Sequence, residues 1–456
     1  MLGNILYFVL TLGILIAFHE WGHFQVARWC GVRVIRFSIG FGKPLLRWTD
    51  RHQTEFVIAA IPLGGYVKML DGREGNVPAE QMSYAFNAKS LGQKAAIISA
   101  GPIANFLLAI LVYWVVSLLG IQGLAPKIGD VEPDSAAYSA GIQSELWIKA
   151  IDGNAVKSRA DAHIALVQRI GDTGFIEFTT ASTNSDIAAL ENYRISIERW
   201  LEGEKDPDIY QSLGFRYWYP AAEPRVSAVV EGGAADAAGM LADDIIIAVD
   251  TVLVDDWSAV VESIKDKAES AVVITVERLV AGENLQIDLN VSVEAFELES
   301  GEAIGRIGIV GVGATYPDEM RVLQQKGFVS GFGFAWKKTY DMTALTLESI
   351  GKMITGLISP ANLSGPITIA RVAADTADSG LVSYMQFLAL LSISLGVLNL
   401  LPVPMLDGGQ LTLLGYEAVV RRPVPDRVQL GMQQLGLLII LSLMTFALFN
   451  DFSRLM

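Results

Sequence analysis

Four stretches of this chain, at 2–17, 95–119, roughly 381–401 and 430–449, are almost wholly apolar over about 20 residues, the length that crosses a hydrocarbon core of about 30 Å. Lipid offers no water to satisfy backbone N–H and C=O groups, so such runs must close their hydrogen bonds within themselves as helices. That constraint dictates a polytopic α-helical membrane protein with four transmembrane helices, to whose ends everything else is attached. The first run has neither a basic leader nor a small-residue cleavage site and reads as a retained span rather than a signal peptide. Positions 123–326 carry about 16 Lys/Arg against about 35 Asp/Glu, whereas 28–94 carry about 10 against about 5, and Lys and Arg mark cytoplasmic loops. The loop after the first span and the loop with Arg421, Arg422 and Arg427 are therefore expected inside. Both termini and the acidic middle are expected outside. A net charge of −15 argues against a nucleic-acid partner, and the lone Cys30 leaves no intramolecular disulfide.

Between the spans, "VRVIRFSIGFGKPLLRW" and "TEFVIAAIPLGGYVKML" alternate as strands punctuated by Gly40, Gly42, Gly64 and Gly65, which predicts a membrane-associated β-hairpin region. The acidic middle repeats itself: 135–156 aligns without a gap to 233–254, matching Ala140-Gly141 with Ala238-Gly239 and Asp152 with Asp250. Two copies of one soluble unit are expected. Each resembles a bacterial PDZ domain, with a small-residue helix, an Ala-Gly turn and a strand closing at Asp. That resemblance implies two inserted α+β PDZ domains that either bind extended peptides by strand addition or act as steric filters or spacers over a membrane site. After Lys326, apolar residues at helical spacing with charges between them predict an amphipathic helix on the membrane surface. The expected division is a first membrane part at 1–122, PDZ domains at 123–220 and 221–315, an amphipathic connector at 316–378 and a second membrane part at 379–456.

The chemistry begins at "FHEWGHF", 18–24. Residues four apart share a helix face, so His19 and His23 can direct ring nitrogens at one ion while Glu20 reaches the water on it. Imidazole suits Zn²⁺, and three protein ligands leave the open position that catalysis needs. With four histidines in the chain, a scrambled sequence would contain His-Glu-x-x-His only about 0.002 times, so chance is a poor account. An ionisable group within a span costs about 2.5–3.5 kcal/mol and usually marks function.

A third ligand is needed. His52, in the strand-rich loop, and His163, in the first outward unit, are poorly placed for it, so a carboxylate is expected. "NLLPVPMLDGGQ" offers Asp407, just beyond Pro402 and Pro404, which break the third span. Irregular backbone at membrane depth is tolerated only where it is buried in protein or lines a wet cavity. The strand-like "IPLGGYVKM" suggests an edge on which an unwound peptide could pair, with Gly64, Gly65 and Tyr66 along the substrate path, the alternative being an ordinary structural turn.

A His-Glu-x-x-His near the end of a first span, paired with Asn-x-x-Pro-x-Pro-x-Leu-Asp-Gly after a third, resembles the site-2 protease family of intramembrane zinc metalloproteases. The two PDZ units, "GGYVKM" and the closing "LFNDFSRL" are similar to its Gram-negative branch. The resemblance implies one Zn²⁺ held by His19, His23 and Asp407, Glu20 as general base, and Asn399, Pro402 and Pro404 shaping the substrate cleft. It also implies an inner-membrane enzyme with its PDZ domains and termini in the periplasm and its zinc toward the cytoplasm. Its substrates would be single-span proteins already shortened outside, namely the anti-sigma factor of the envelope stress response and remnant signal peptides. Two alternatives from other classes are a zinc-dependent membrane transporter and a PDZ scaffold without proteolysis.

Overall fold

The computed structural model describes residues 2–73, 77–185, 189–280, 282–297, 303–422 and 424–453. Helix α1 (Leu2–Trp29) runs unbroken through His19 and His23. The helix therefore does not end near the histidines, as the apolar run stopping at residue 17 suggested, because no proline intervenes and Phe24, Val26 and Ala27 carry the apolar spacing onward. It ends where Gly31, at φ 68°, lets the chain close on itself: Gly31 N–H donates to Arg28 O at 3.0 Å and Val32 N–H to Ala27 O at 2.8 Å, the paired bonds of a glycine-terminated helix.

Strands β1 (Val34–Thr49) and β2 (Glu55–Met69) form one sheet, but each bends back on itself. Residues 36–39 pair on one side with 65–68 in opposite sense and on the other with 55–58, and 55–59 pair again with the returning 44–49. The bends fall at Gly40 and Gly42, with φ 91° and 89°, and at Gly64, with φ 151°, backbone open to glycine at little cost. The stretch 65–69 is thereby left on an edge of the sheet.

Helix α2 (Leu91–Leu119) starts with a capping box, Ser90 accepting from the Gln93 N–H and the Gln93 side chain accepting from Ser90 N–H, an arrangement worth about 1 kcal/mol. It is followed by β3 (Ile121–Leu124). The first inserted unit contains β4 (Ile128–Val131), α3 (Ala136–Ser139), β5 (Trp147–Ile151), β6 (Asn154–Ala155), α4 (Arg159–Val167), β7 (Gly174–Ala181), β8 (Leu190–Ile197), α5 (Ile209–Leu213) and β9 (Phe215–Tyr217). The second contains β10 (Val226–Val229), α6 (Ala234–Ala237), β11 (Ile245–Val249), β12 (Val252–Leu253), α7 (Trp257–Lys265), β13 (Ala271–Val280), β14 (Glu283–Ser292), the extra pair β15 (Glu294–Glu297) and β16 (Ala303–Arg306), and β17 (Ile309–Gly311). Their sheets share one topology: β6-β5-β7-β8 beside β4-β9, and β12-β11-β13-β14 beside β10-β17. Each closes its own core, around Phe178 and Phe215 in the first and Ile274 and Val291 in the second.

The sequence repeat has a backbone meaning. Asp152 and Asp250 both turn at positive φ, 48° and 55°. Each carboxylate then accepts a 2.9 Å bond from the neighbouring strand, from Glu177 N–H and Val273 N–H respectively. The chain leaves the second unit through β18 (Arg321–Gln324), which pairs with β3 so that Leu124 faces Arg321.

Helices α8 (Phe328–Ile354), α9 (Pro366–Asp378), α10 (Leu381–Leu400), α11 (Asp407–Val420) and α12 (Asp426–Ser453) complete the chain. Four helices among the described residues are long and apolar enough to cross a membrane: α1, α2, α10 and α12. Helix α2 is the most enclosed of them and packs against α1, α8, α10 and α11. Small residues permit close approach where α1 crosses α2, for a methyl on Gly22 would collide with the Ala100 carbonyl and lie 2.8 Å from Ala104, as at other membrane-helix crossings.

The amphipathic helix expected on the membrane surface is α8, and it is more firmly seated than a surface helix. Ala335 and Met342 join the core formed by Leu15, Leu108 and Leu388, while Lys352 on the same helix donates to Asp172 of the first unit at 3.3 Å. At the far end of the bundle, Asp451 on α12 caps α9, accepting from Gly365 and Ile367 N–H at 3.0 and 2.8 Å and from Thr368 Oγ at 2.6 Å. Arg454 and Leu455 of the closing "LFNDFSRL" lie outside the described residues.

Candidate active site

The third span stops at Leu400 because Pro402 and Pro404 cannot continue it. The chain then reverses through a tight loop in which Val403 N–H donates to Leu401 O at 2.7 Å and Leu406 N–H to Val403 O at 3.1 Å. Met405, at φ 84°, is forced into the left-handed region, a strained conformation for a side chain of that size. Gly408 and Gly409 follow because a Cβ on either would strike carbonyls, those of Leu400 and Leu401 or that of Val403. The reversal puts Asp407 in the first turn of α11.

There it meets α1. Asp407 Oδ2 lies 3.3 Å from His19 Nε2 and 3.4 Å from His23 Nε2, and the two imidazole nitrogens are 3.2 Å apart. All three residues are largely enclosed, and Oδ2 is buried without a hydrogen bond. Among the described residues this trio is the one His/Cys/Asp/Glu group whose ligand atoms, within 4.8 Å of one another, could hold an ion. An orphaned carboxylate oxygen facing two imidazole nitrogens fits Zn²⁺, which takes N and O donors at about 2.0–2.2 Å. His52 sits in the exposed turn near Asp50, and His163 faces Tyr210 in the first inserted unit at 3.3 Å, both outside the group.

Helix α2 supports the histidines from behind along one face, at residues 97, 101 and 105. His23 Nδ1–H donates to the Ile97 carbonyl at 2.8 Å. Gly101 leaves room for the rings, since a Cβ there would lie 2.8 Å from His19 Cε1 and overlap His23 Nε2. The Asn105 amide stands 3.1 Å from His19 Nδ1. Sequence reasoning missed these three. Asn105 left a signal, a lone amide deep in an apolar span beside a Gly-Pro pair.

Glu20 points into a cavity of about 840 Å³ shared by His19, His23, Asp407, Gly64, Gly65, Tyr66 and Asn399. Gly65 packs directly on the helix, for a methyl would lie 2.7 Å from Ile16, 2.8 Å from the Ser38 carbonyl and 2.9 Å from Glu20 Cγ. A Cβ on Gly64 would overlap the Phe41 ring, and Tyr66 stacks on that ring at 6.1 Å while accepting from Arg36 at 3.2 Å. Pro402 and Pro404 do not line this cavity. They shape the reversal, and the Pro404 carbonyl packs where Gly436 on α12 lacks a side chain.

The family model for peptidase family M50 matches residues 7–443. The chain belongs to that family. This M50 peptidase is 42% identical over 448 residues to the regulator of sigma-E protease RseP of Escherichia coli, covering 98% of each chain. It is 41% identical over 454 residues to a Vibrio cholerae protein named "Putative zinc metalloprotease", covering 100% of this chain and 99% of the other. It is also 36% identical over 453 residues to the regulator of sigma E protease of Haemophilus influenzae, covering 98% of each. The M50 peptidase is thus an intramembrane zinc metalloprotease and a multi-pass inner-membrane protein, which sets aside the transporter and scaffold alternatives.

Proposed function

We propose that this peptidase cleaves transmembrane segments of single-span proteins already shortened on the periplasmic side, the anti-sigma factor of the envelope stress response and remnant signal peptides among them. His19, His23 and Asp407 would hold the zinc and Glu20 would be the general base. The observation that carries this reading is the shared cavity, in which three convergent ligand atoms, a carboxylate and the strand 65–69 lie together beside a broken span. Along α1, at about 1.5 Å per residue, His19 is about 26 Å from Leu2, toward the far side of a hydrocarbon core. With the basic loops inside, that side is cytoplasmic.

Bound zinc supplies a Lewis acid for the scissile carbonyl and acidifies water. Glu20 takes a proton from the attacking water on its carboxylate, the water oxygen bonds to the carbonyl carbon, and Glu20 returns the proton to the nitrogen as the C–N bond breaks. Asn399, on the cavity wall, donates its amide N–H to the substrate backbone. A transmembrane helix hides its carbonyls in internal hydrogen bonds, so it must unwind first. The edge at 65–69, with Gly64 and Gly65 removing side-chain bulk, gives the unwound chain backbone partners that lipid does not.

The outward units are PDZ domains in this reading, spanning roughly 125–220 and 221–313, and lie in the periplasm with both termini. A groove of about 150 Å³ between α7 and β17, lined by Val260, Ile264 and Ile309, has the form that strand addition needs. Glu20→Gln tests the chemistry: the purified variant should keep one zinc and lose at least about 100-fold in cleavage rate, the usual scale of acid–base catalysis. Zinc loss with this substitution, or unchanged cleavage, overturns the role given to Glu20.

A further inference from the structure

Resting on the reading of His19 as a zinc ligand, we propose that Asn105 is the positioning residue of that histidine, its side-chain oxygen accepting the Nδ1 proton so that Nε2 presents a lone pair to the metal.

A neutral imidazole has one N–H and one lone pair, and hydrogen bonding at one nitrogen fixes what the other carries. For His23 the matter is settled by the backbone, because the Ile97 carbonyl can only accept. Its 2.8 Å contact therefore puts the proton on Nδ1 and leaves the lone pair on Nε2, facing Asp407. Among the described residues, no carbonyl accepts from His19 Nδ1. Its Nδ1 meets the Asn105 amide at 3.1 Å, and that amide is oriented with Nδ2 toward the ring while Oδ1 is buried with no hydrogen bond.

This orientation conflicts with ligation. An amide N–H aimed at Nδ1 needs a lone pair there, which sends the ring proton to Nε2, the atom facing His23 and Asp407. A half-turn of the amide removes the conflict. Oxygen and nitrogen ends have the same shape, so the network decides between them, and the turned amide gives the orphaned oxygen a donor and Nε2 a lone pair. Asn105 and His19 are both buried, at 0% and 9% exposure, so no bulk water stands in for the missing acceptor.

The amide is itself held firmly. Asn105 is on α2, one turn beyond Gly101, and its backbone carbonyl accepts from Ser392 Oγ on α10 at 2.8 Å. Thus α2 sets both tautomers, by a carbonyl for one histidine and by an amide for the other. Partners of this kind typically contribute 10–100-fold to metal affinity.

The test is zinc affinity of the purified full-length protein, read by competition with a chromophoric chelator, and the visible spectrum after cobalt(II) replaces zinc. Asn105→Leu should bind zinc about 10–100-fold more weakly with an altered cobalt spectrum. Asn105→Asp, which only accepts, should bind as tightly as the native protein. Native affinity and spectrum in Asn105→Leu, or equal loss in both variants, overturns the proposal. If Asn105→Leu does not accumulate as folded protein, Asn105→Asp decides alone, because it keeps zinc if the oxygen is the required group and loses it if the N–H is. His19→Ala separates the two levels: its retention of native zinc affinity would remove the ligand reading itself, whereas its loss beside a native Asn105→Leu would remove only the role of Asn105.

Discussion

Glycines do at single positions what catalytic side chains cannot do for themselves. Gly101 is the clearest case, since the space its missing Cβ leaves is occupied by both imidazoles. Gly101→Ala should push the rings off position by about 1 Å and cost about 100-fold in cleavage, with weaker zinc binding by chelator competition and the fold intact by circular dichroism. Asp250 illustrates residue-scale control away from the site. The Lys267 ammonium, with the Val273 N–H, holds its carboxyl below the usual carboxylate range. A folded-state value below the unfolded one of about 3.9 gives stability that is present above that pH and lost as pH falls through the lower value. Asp250→Asn keeps the acceptor for Val273 but has no proton to take up. The protection of β13 amides, that is exchange corrected for its intrinsic pH dependence, should fall as pH drops below about 4 in the native protein and much less in the variant. At this scale the sequence was readable where chemistry is rare in its surroundings: two histidines, a glutamate and an aspartate among apolar residues announced themselves. Ile97 did not, because its contribution is a carbonyl that every residue owns.

At the scale of elements, spans and strands were legible from apolar run length and period, while their ends and bends were not. The run that stopped at residue 17 belongs to a helix reaching Trp29, since polar residues facing a site interrupt hydropathy without interrupting a helix. The doubling back of β1 and β2 depends on three glycines at positive φ, a conformational fact that no pattern of hydrophobicity contains. The edge at 65–69 makes a direct prediction. Tyr66→Pro removes a backbone donor from that strand, so cleavage of a transmembrane substrate should fall by at least about tenfold while zinc content stays at one per chain. Unchanged cleavage would sink the idea that substrate pairs there. The same break in pattern that identified α10 as interrupted also located Asp407, but only the reversal through Met405 could bring it 3.3 Å from His19, and its torsion is not written in the residue types.

In the whole molecule, two ends of the chain nearly 400 residues apart make one site, and the long acidic insertion between them leaves through β3 and returns through β18. Replacing 125–320 with Asn-Gly, a pair suited to a two-residue hairpin, should therefore keep the helices folded and one zinc bound. If the inserted units act by size exclusion, this shortened protein cleaves substrates that still carry a bulky domain outside the membrane, which the full chain refuses. If they are obligatory docking sites, it cleaves neither form. Electrophoretic mobility of the two substrate forms after incubation distinguishes the outcomes.

The facing of Leu124 and Arg321 also bears on ancestry. Because the insertion departs and returns within one strand spacing, of about 4.8 Å, genetic events that add, duplicate or delete an inserted unit need not redraw the membrane part. The ungapped match of 135–156 to 233–254 and the shared strand order of the two units fit one such duplication. Copy number can then change while the membrane part that brings His19, His23 and Asp407 together is left alone.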